Sequence, residues 1–254
     1  MVLRKLAACI GGASFRPAIP AGDRVYAIGD VHGRLDLLHQ LLQRIEADNA
    51  ARGRADTWLI LLGDLINRGP ESRAVIDRVM RLTQSARATI CLMGNHEDLL
   101  LRVWNGQEAA VPPFLNAGGD ATLKSYGCDL PADALDRLTD AMIIGLVRAW
   151  IPKAHIDFLT KFASHCAMGD YVFVHAGIRP GVALQAQDPI DMRWIRTPFL
   201  KSRRDHGACI VHGHSISAGP DIQPNRIGID TGAYRTGTLT AIGLQGQDRW
   251  FLAT

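Results

Sequence analysis

Three short stretches in the first hundred residues concentrate side chains able to hold a cation or move a proton. They are GDVHG, with Asp30 and His32; GDLINRG, with Asp64, Asn67 and Arg68; and GNHE, with Asn95, His96 and Glu97. Two further histidines end apolar runs in the second half, His175 in VFVHAG and His214 in VHGHS. Carboxylates, imidazoles and an amide oxygen make a mixed oxygen and nitrogen donor set without thiolate, which suits divalent Mn, Fe or Zn. Asp30, His32, Asp64, Asn95, His175 and His214 are more ligands than one ion with an open position needs. Two ions sharing one carboxylate would use them all, and ions about 3.5–4 Å apart are a recurrent device for in-line displacement at phosphorus.

Such distant residues converge only if the chain brings strand ends together. The pattern predicts strands at 24–29, 57–63 and 88–94, with helices at 35–48 and 71–83 between them. Asp64 follows Asp30 by 34 residues and Asn95 follows Asp64 by 31. That spacing is one β-α-β unit. Parallel strands so connected place their C-terminal ends side by side, at the edge where open α/β sheets bind ligands. The glycine before each ligand lets the backbone turn sharply there. Residues 97–165 read as a helical, cap-like segment. Short strands follow at 171–177, 208–214, 225–230, 238–244 and 249–254, spaced as in a mixed or antiparallel second sheet. The remaining histidines, His39, His155, His165 and His206, carry no such pattern, while His212 stands one glycine from His214.

Composition narrows the class. In 254 residues, 47% are hydrophobic and 21% charged, which excludes disordered, collagen-like and coiled-coil chains. A net charge of +3 is too small to argue for nucleic acid. The 28 basic residues comprise five Lys and 23 Arg, a bias that fits a GC-rich genome but also planar recognition of phosphate. Cysteines 9, 91, 128, 166 and 209 form no CxxC pair, as expected of a reducing, cytoplasmic setting. The LAAC string near the start lacks an apolar run before it, and TWLILLG and AMIIGLV are too short to span a bilayer. The expected organisation is a flexible leader over 1–22 and one domain over 23–254, with no membrane or nucleic-acid partner.

The order GDVHG, GDLINRG, GNHE, VHAG, GH resembles the calcineurin-like metallophosphoesterases, and within them the phosphoprotein-phosphatase branch with its GDxHG, GDxxDRG and GNHE signatures. FVHAGIRPG, WIR, VHGH and IDTGA are similar to small bacterial serine/threonine phosphatases, and the resemblance spans about 24–244. It implies an α/β sandwich of two mixed β-sheets packed together and flanked by helices. It also implies roles. Asp30 and His32 would hold a first metal, Asp64 would bridge, and Asn95, His175 and His214 would hold a second, Mn²⁺ before Fe or Zn. Arg68 and Arg196 would clamp phosphate, with Arg193 as a further substrate-binding candidate, and His96 would be the general acid to a metal-bridging hydroxide. The implied substrate is a phosphoserine or phosphothreonine protein or peptide. The alternatives are phosphotyrosine or dual specificity, or a dinucleoside polyphosphate such as diadenosine tetraphosphate, with Trp194, Tyr126, Phe199 and Tyr234 as base-stacking candidates. A non-catalytic module on the same fold would have lost ligands that this chain keeps. One position departs from the branch: Asn67 stands where GDxxDRG has its second Asp, the residue that orients the acid histidine. Diadenosine tetraphosphate hydrolases, similar here in GDLVARG, also lack that Asp, although they usually carry GNHD. A neutral amide orients an imidazole without charge, so the departure predicts a pH–rate profile shifted toward acid.

Overall fold

Strand β1 (Asp23–Ile28) divides its apolar residues between two cores. Val25 and Ala27 face one, Tyr26 and Ile28 the other, because successive strand side chains point to opposite faces. The computed structural model describes residues 16–254 except 86, 131 and 136. Next to β1, in parallel, runs β2 (Asp56–Leu61), and beyond it, again parallel, β3 (Ala88–Cys91). Helices α1 (Leu35–Ala51) and α2 (Ser72–Thr83) make the crossovers and bury Leu38, Leu41, Ile45, Val75 and Val79 against Tyr26, Ile28, Leu59 and Leu61. The predicted β-α-β-α-β order is thus present.

The rest of the chain supplies two layers. Helices α3 (Asn95–Trp104), α4 (Val111–Asn116), α5 (Gly119–Ser125), α6 (Ala132–Leu135), α7 (Asp140–Trp150) and α8 (Lys153–Leu159) extend the helical side of the first sheet. The second sheet contains β4 (His165–Met168), β5 (Tyr171–Val174), β6 (Cys209–His212), β7 (Asp221–Ile222) and β8 (Arg226–Gly228), in the order β4-β5-β6-β8-β7. Tyr171, Phe173, Val211 and Ile227 from this sheet meet Val25, Ala27, Ile60, Ile242 and Leu244 of the first, which forms the core between the sheets. On its outer face Val172, Val174 and Ile210 are covered by Met192, Ile195 and Phe199, from α9 (Pro189–Trp194), α10 (Thr197–Leu200) and the link between them.

Two expectations are corrected, the placing of the last two strands and the looseness of the leader. The last two strands, β9 (Thr240–Gln245) and β10 (Asp248–Ala253), close the first sheet, β9 antiparallel to β1 and β10 antiparallel to β9, instead of joining the second. Five of six β9 residues are buried, so the strand suits a place inside the sheet, and Gly243 leaves room for the Trp250 ring. The second sheet is mixed, as expected, with parallel pairs β5–β6 and β6–β8 at its centre; its edge strands β4 and β7 carry no periodic signal. The leader is not loose through residue 22. Ile19 is buried at 3% exposure, and Ala18, Ile19 and Gly22 bond to Asp170, Gly246 and Asp56. The part of that leader before residue 16, including Cys9, lies outside the described residues. Among the described residues no helix is long and apolar enough to cross a membrane.

Candidate active site

Six strand ends open on one cleft. Asp30 follows β1, Asp64 follows β2, Asn95 begins the helix after β3, His175 follows β5, His214 follows β6 and Asp230 follows β8. The cavity, about 320 Å³, is lined by Asp30, His32, Asp64, Arg68, Asn95, His96, Arg196 and His214, together with Ile216, Asp230 and Arg235. The backbone is unusual at this place. Among the described residues, the non-glycine positions with positive φ are His32, Asp64, Asn67, Arg68 and His214, between +47° and +69°. Left-handed backbone costs a side-chain-bearing residue roughly 1–2 kcal/mol, and such conformations gather where function over-determines the structure. Gly94 and Gly213 serve a different need: a Cβ at either would run into the carboxylate of Asp64 or of Asp30.

Asp64 is held from both sides. Glu97, fully buried, accepts N–H bonds from Asp64 (2.8 Å), Leu65 (2.8 Å) and Gly94 (3.1 Å), and so pins the loop that carries the aspartate. Asp64 Oδ1 accepts the His96 N–H, while Oδ2 faces the Nε2 atoms of His175 at 3.4 Å, His96 at 3.6 Å and His32 at 3.7 Å. His32 and His175 each give the Nδ1 proton to a backbone carbonyl, of Ile66 and Leu62 respectively, both at 2.9 Å. That fixes the tautomer and turns the Nε2 lone pairs inward, the usual arrangement behind a metal-ligating histidine. The Asn95 Oδ1 lies 2.9 Å from His175 Nε2. Asp30 accepts the His214 N–H with both oxygens, at 3.1 and 3.2 Å, and has the Asp230 carboxylate as a neighbour.

The electrostatics are those of a site built for cations. Burial, then Asp230 and Asp64, raises Asp30 well above the usual carboxylate range; burial, then Glu97, does the same to Asp64. Burial drives His32 and His175 down to about 3 and His214 to about 2, which keeps their lone pairs free. The His214 Nε2 is buried without any hydrogen-bond partner, an arrangement that costs free energy unless something else completes it. Two groups of donor atoms each close to within 4.8 Å, Asp64–His175–His214 and His32–Asp64–His96. Asp64 belongs to both groups, and with His96 set aside as the acid candidate the donors that remain still fit two divalent ions. Asp30 lies outside these two groups but lines the same cleft.

Around this floor stand the remaining candidates. Asn67 Nδ2 contacts His96 Nδ1 at 2.9 Å, as the orienting position requires. Burial, then His32 and Arg68, pushes His96 well below its ordinary value. Arg68 is exposed, with its guanidinium 4.5 Å over the Tyr234 ring and Nη2 3.4 Å from His96 Nε2. Arg196 is exposed at the cleft, whereas Arg193 is turned away: it bonds the Asp98 carboxylate and the Pro189 carbonyl and does not line the cavity. Of the aromatic candidates, Phe199 and Tyr126 are core residues, and Tyr126 bonds His155. Trp194 is 37% exposed, its ring 6.4 Å from that of His214, and Tyr234 flanks His32 at 5.3 Å. His212 is buried below β8 and does not enter the cleft. Sequence reasoning missed Asp230, Arg235, Thr122 and the anchoring work of Glu97. IDTGAYR, following a strand, carried the signal for the first two.

Buried cation ligands beneath exposed arginines are the equipment of a metal-dependent phosphoric ester hydrolase, and comparison with known proteins returns that class. The model of the calcineurin-like phosphoesterase family matches residues 23–236, and the chain belongs to that family. Relatives include symmetrical bis(5'-nucleosyl)-tetraphosphatases. The one from Nitrosospira multiformis is 30% identical over 87% of this chain and 92% of its own length. The one from Dechloromonas aromatica is 33% identical over 61% of this chain, a match that spans 44% of that protein. A solved structure provisionally assigned as a diadenosine tetraphosphatase shares the fold at a TM-score of 0.65, with 20% identity over 93% of this chain and 98% of its own. A serine/threonine phosphatase from Saccharomyces cerevisiae shares it at 0.53, with 13% identity over 91% and 79%.

Proposed function

We propose that this enzyme splits dinucleoside polyphosphates, with a tetraphosphate yielding two nucleoside diphosphates. The observation that carries the reading is the breadth of the basic rim. Arg68, Arg196 and Arg235 all line one small cavity, which is more cationic grip than a single phosphomonoester needs. Trp194 offers exposed ring surface beside it for a base, and Tyr234, half-buried against Arg68 and His32, offers a second ring. The likeness to symmetrical tetraphosphatases over most of both chains supports the same substrate class. The serine/threonine protein phosphatase expected from the sequence has no observation specific to it and gives way to this alternative.

In this reading Asp30, His32, Asp64, Asn95, His175 and His214 hold two divalent ions, Mn²⁺ first. When bound, such ions lower the pKa of a water and offset charge on the reacting phosphate. Arg68 and Arg196 orient the attacked phosphate and stabilise the charge on its equatorial oxygens. Arg235 and Tyr234 hold the chain of phosphates and the nucleoside beyond it. His96 Nε2 addresses the bridging oxygen that departs.

The test is a substrate panel of diadenosine tetraphosphate, a phosphoserine peptide, a phosphotyrosine peptide and phenyl phosphate, each with Mn²⁺ and with chelator. The tetraphosphate is expected to exceed the peptides in kcat/KM by on the order of 100-fold, about 2.7 kcal/mol of transition-state discrimination. Equal or better turnover of a phosphopeptide would overturn the reading.

A further inference from the structure

Thr122, on α5 in the cap-like segment, is fully buried and touches the reaction only through Asn67. Its Oγ1 lies 2.6 Å from Asn67 Oδ1. That separation is ordinary for O–H···O and short for N–H···O. The hydroxyl is therefore the donor and the amide oxygen the acceptor. The same Oγ1 takes the Asn67 backbone N–H at 2.9 Å, and Ser72 Oγ takes it at 3.0 Å, so the main chain is pinned twice beneath the side-chain amide. Its NH₂ group must then point at His96 Nδ1, 2.9 Å away. A nitrogen facing a donor presents a lone pair, so the ring carries its single proton on Nε2, toward the cleft. The Arg68 Nη2 contact at Nε2, 3.4 Å, is too long to compete.

We infer that Thr122 is a positioning residue which, through the Asn67 amide, fixes His96 as a neutral Nε2–H hydrogen-bond donor, and so selects substrates whose leaving group needs no proton. Yielding that proton would leave an anion on the ring, and no acceptor stands at Nδ1 for a second one. A serine or threonine alkoxide is a poor leaving group without a proton. A nucleoside diphosphate departs as a stable oxyanion. In that step an oxygen–phosphorus bond forms from hydroxide, and the bond to the bridging oxygen breaks with its electron pair. The attacked half keeps the hydroxide oxygen and hydrogen, and the other half leaves as its phosphate oxyanion with the Nε2–H bonded to it. This deepens the proposed function and rests on it for the substrate's name; the selection by leaving group is measurable without it.

The experiment uses Mn²⁺-loaded enzyme and a series of substituted phenyl phosphates, with log kcat/KM plotted against leaving-group pKa. Wild type is expected to fall steeply along the series. Asn67→Asp, which puts an acceptor at Nδ1, is expected to flatten the line and gain at least tenfold at the poor-leaving-group end relative to the good end. Thr122→Val should shift the same way and Thr122→Ser should restore the wild-type slope, with metal content unchanged in all. Parallel lines for wild type and Asn67→Asp would overturn the inference. Should the variants fold poorly, ¹⁵N shifts of the wild-type Zn²⁺ form decide: a protonated Nδ1 on His96 refutes it, and a bare Nδ1 supports it. A steep phenyl series from an enzyme inert toward tetraphosphate would sink the proposed function and keep this inference; a strong tetraphosphatase with parallel lines would do the reverse.

Discussion

The floor of the cleft and its rim differ in burial and in the elements that carry them, although Arg68 on the rim shares the left-handed backbone of the floor. Asp64, His32, His175 and His214 are all buried, hang from strand ends and in three cases occupy left-handed backbone. Arg68, Arg196, Arg235 and Trp194 are exposed and come from turns and short helices. The floor has little freedom: its clustered buried carboxylates and inward-facing imidazole nitrogens suit a cation, and the cation sets the reaction class. The rim is held by few contacts and changes at small cost to the fold, so substrate choice resides there. One enzyme fold thereby serves many phosphoric esters.

Three substitutions break or sharpen that contrast. Asp64→Asn, at the centre of the floor, is expected to lower kcat/KM for every substrate by on the order of 10³-fold or more, and to reduce bound metal measured by plasma mass spectrometry. Full metal content with more than a tenth of the activity would erase the distinction. Glu97→Gln tests the layer beneath. Its carboxylate accepts three backbone N–H bonds, and an amide must turn its own donors toward at least one of them. Leaving a buried donor unpaired costs about 1–3 kcal/mol. Denaturant unfolding of the metal-loaded protein should show that loss, together with a drop in kcat for all substrates alike. Arg235→Ala should do the opposite of both: no change in stability, a KM for tetraphosphate up by roughly tenfold, about 1.4 kcal/mol, and less than a twofold change on phenyl phosphate. A uniform loss across substrates would place Arg235 with the floor.

The same contrast governs what could be read from sequence. The floor was legible because every proposed ligand except His175 sits beside a glycine at the end of an apolar strand, and because β-α-β spacing brings the first three of those ends together without further information. The family resemblance then supplied roles. The rim was legible only in part. Arg193 and Arg196 stand three apart in one stretch, and only the structure shows that Asp98 captures the first. Thr122 lies 55 residues from Asn67, within a segment that has no motif, so its contact is a product of packing alone. Strands β9 and β10 read as strands, but β1, the partner of β9, lies more than 200 residues earlier, and local pattern says nothing about such a pairing. Residues 18–22 failed as a leader for the same reason, since Asp170 and Gly246 hold them.

The five left-handed residues carry one more consequence, for anyone who wishes to make this protein sturdier. Glycine would relieve the backbone at His32, Asp64, Asn67, Arg68 or His214, and these are the positions a stability-guided redesign would choose first. Four of them lend their side chains to the cleft, and Asn67 holds His96 from behind it. Heat resistance gained there would come from an inert molecule, so thermal tolerance in this scaffold has to be sought in the helical layer and at the sheet edges.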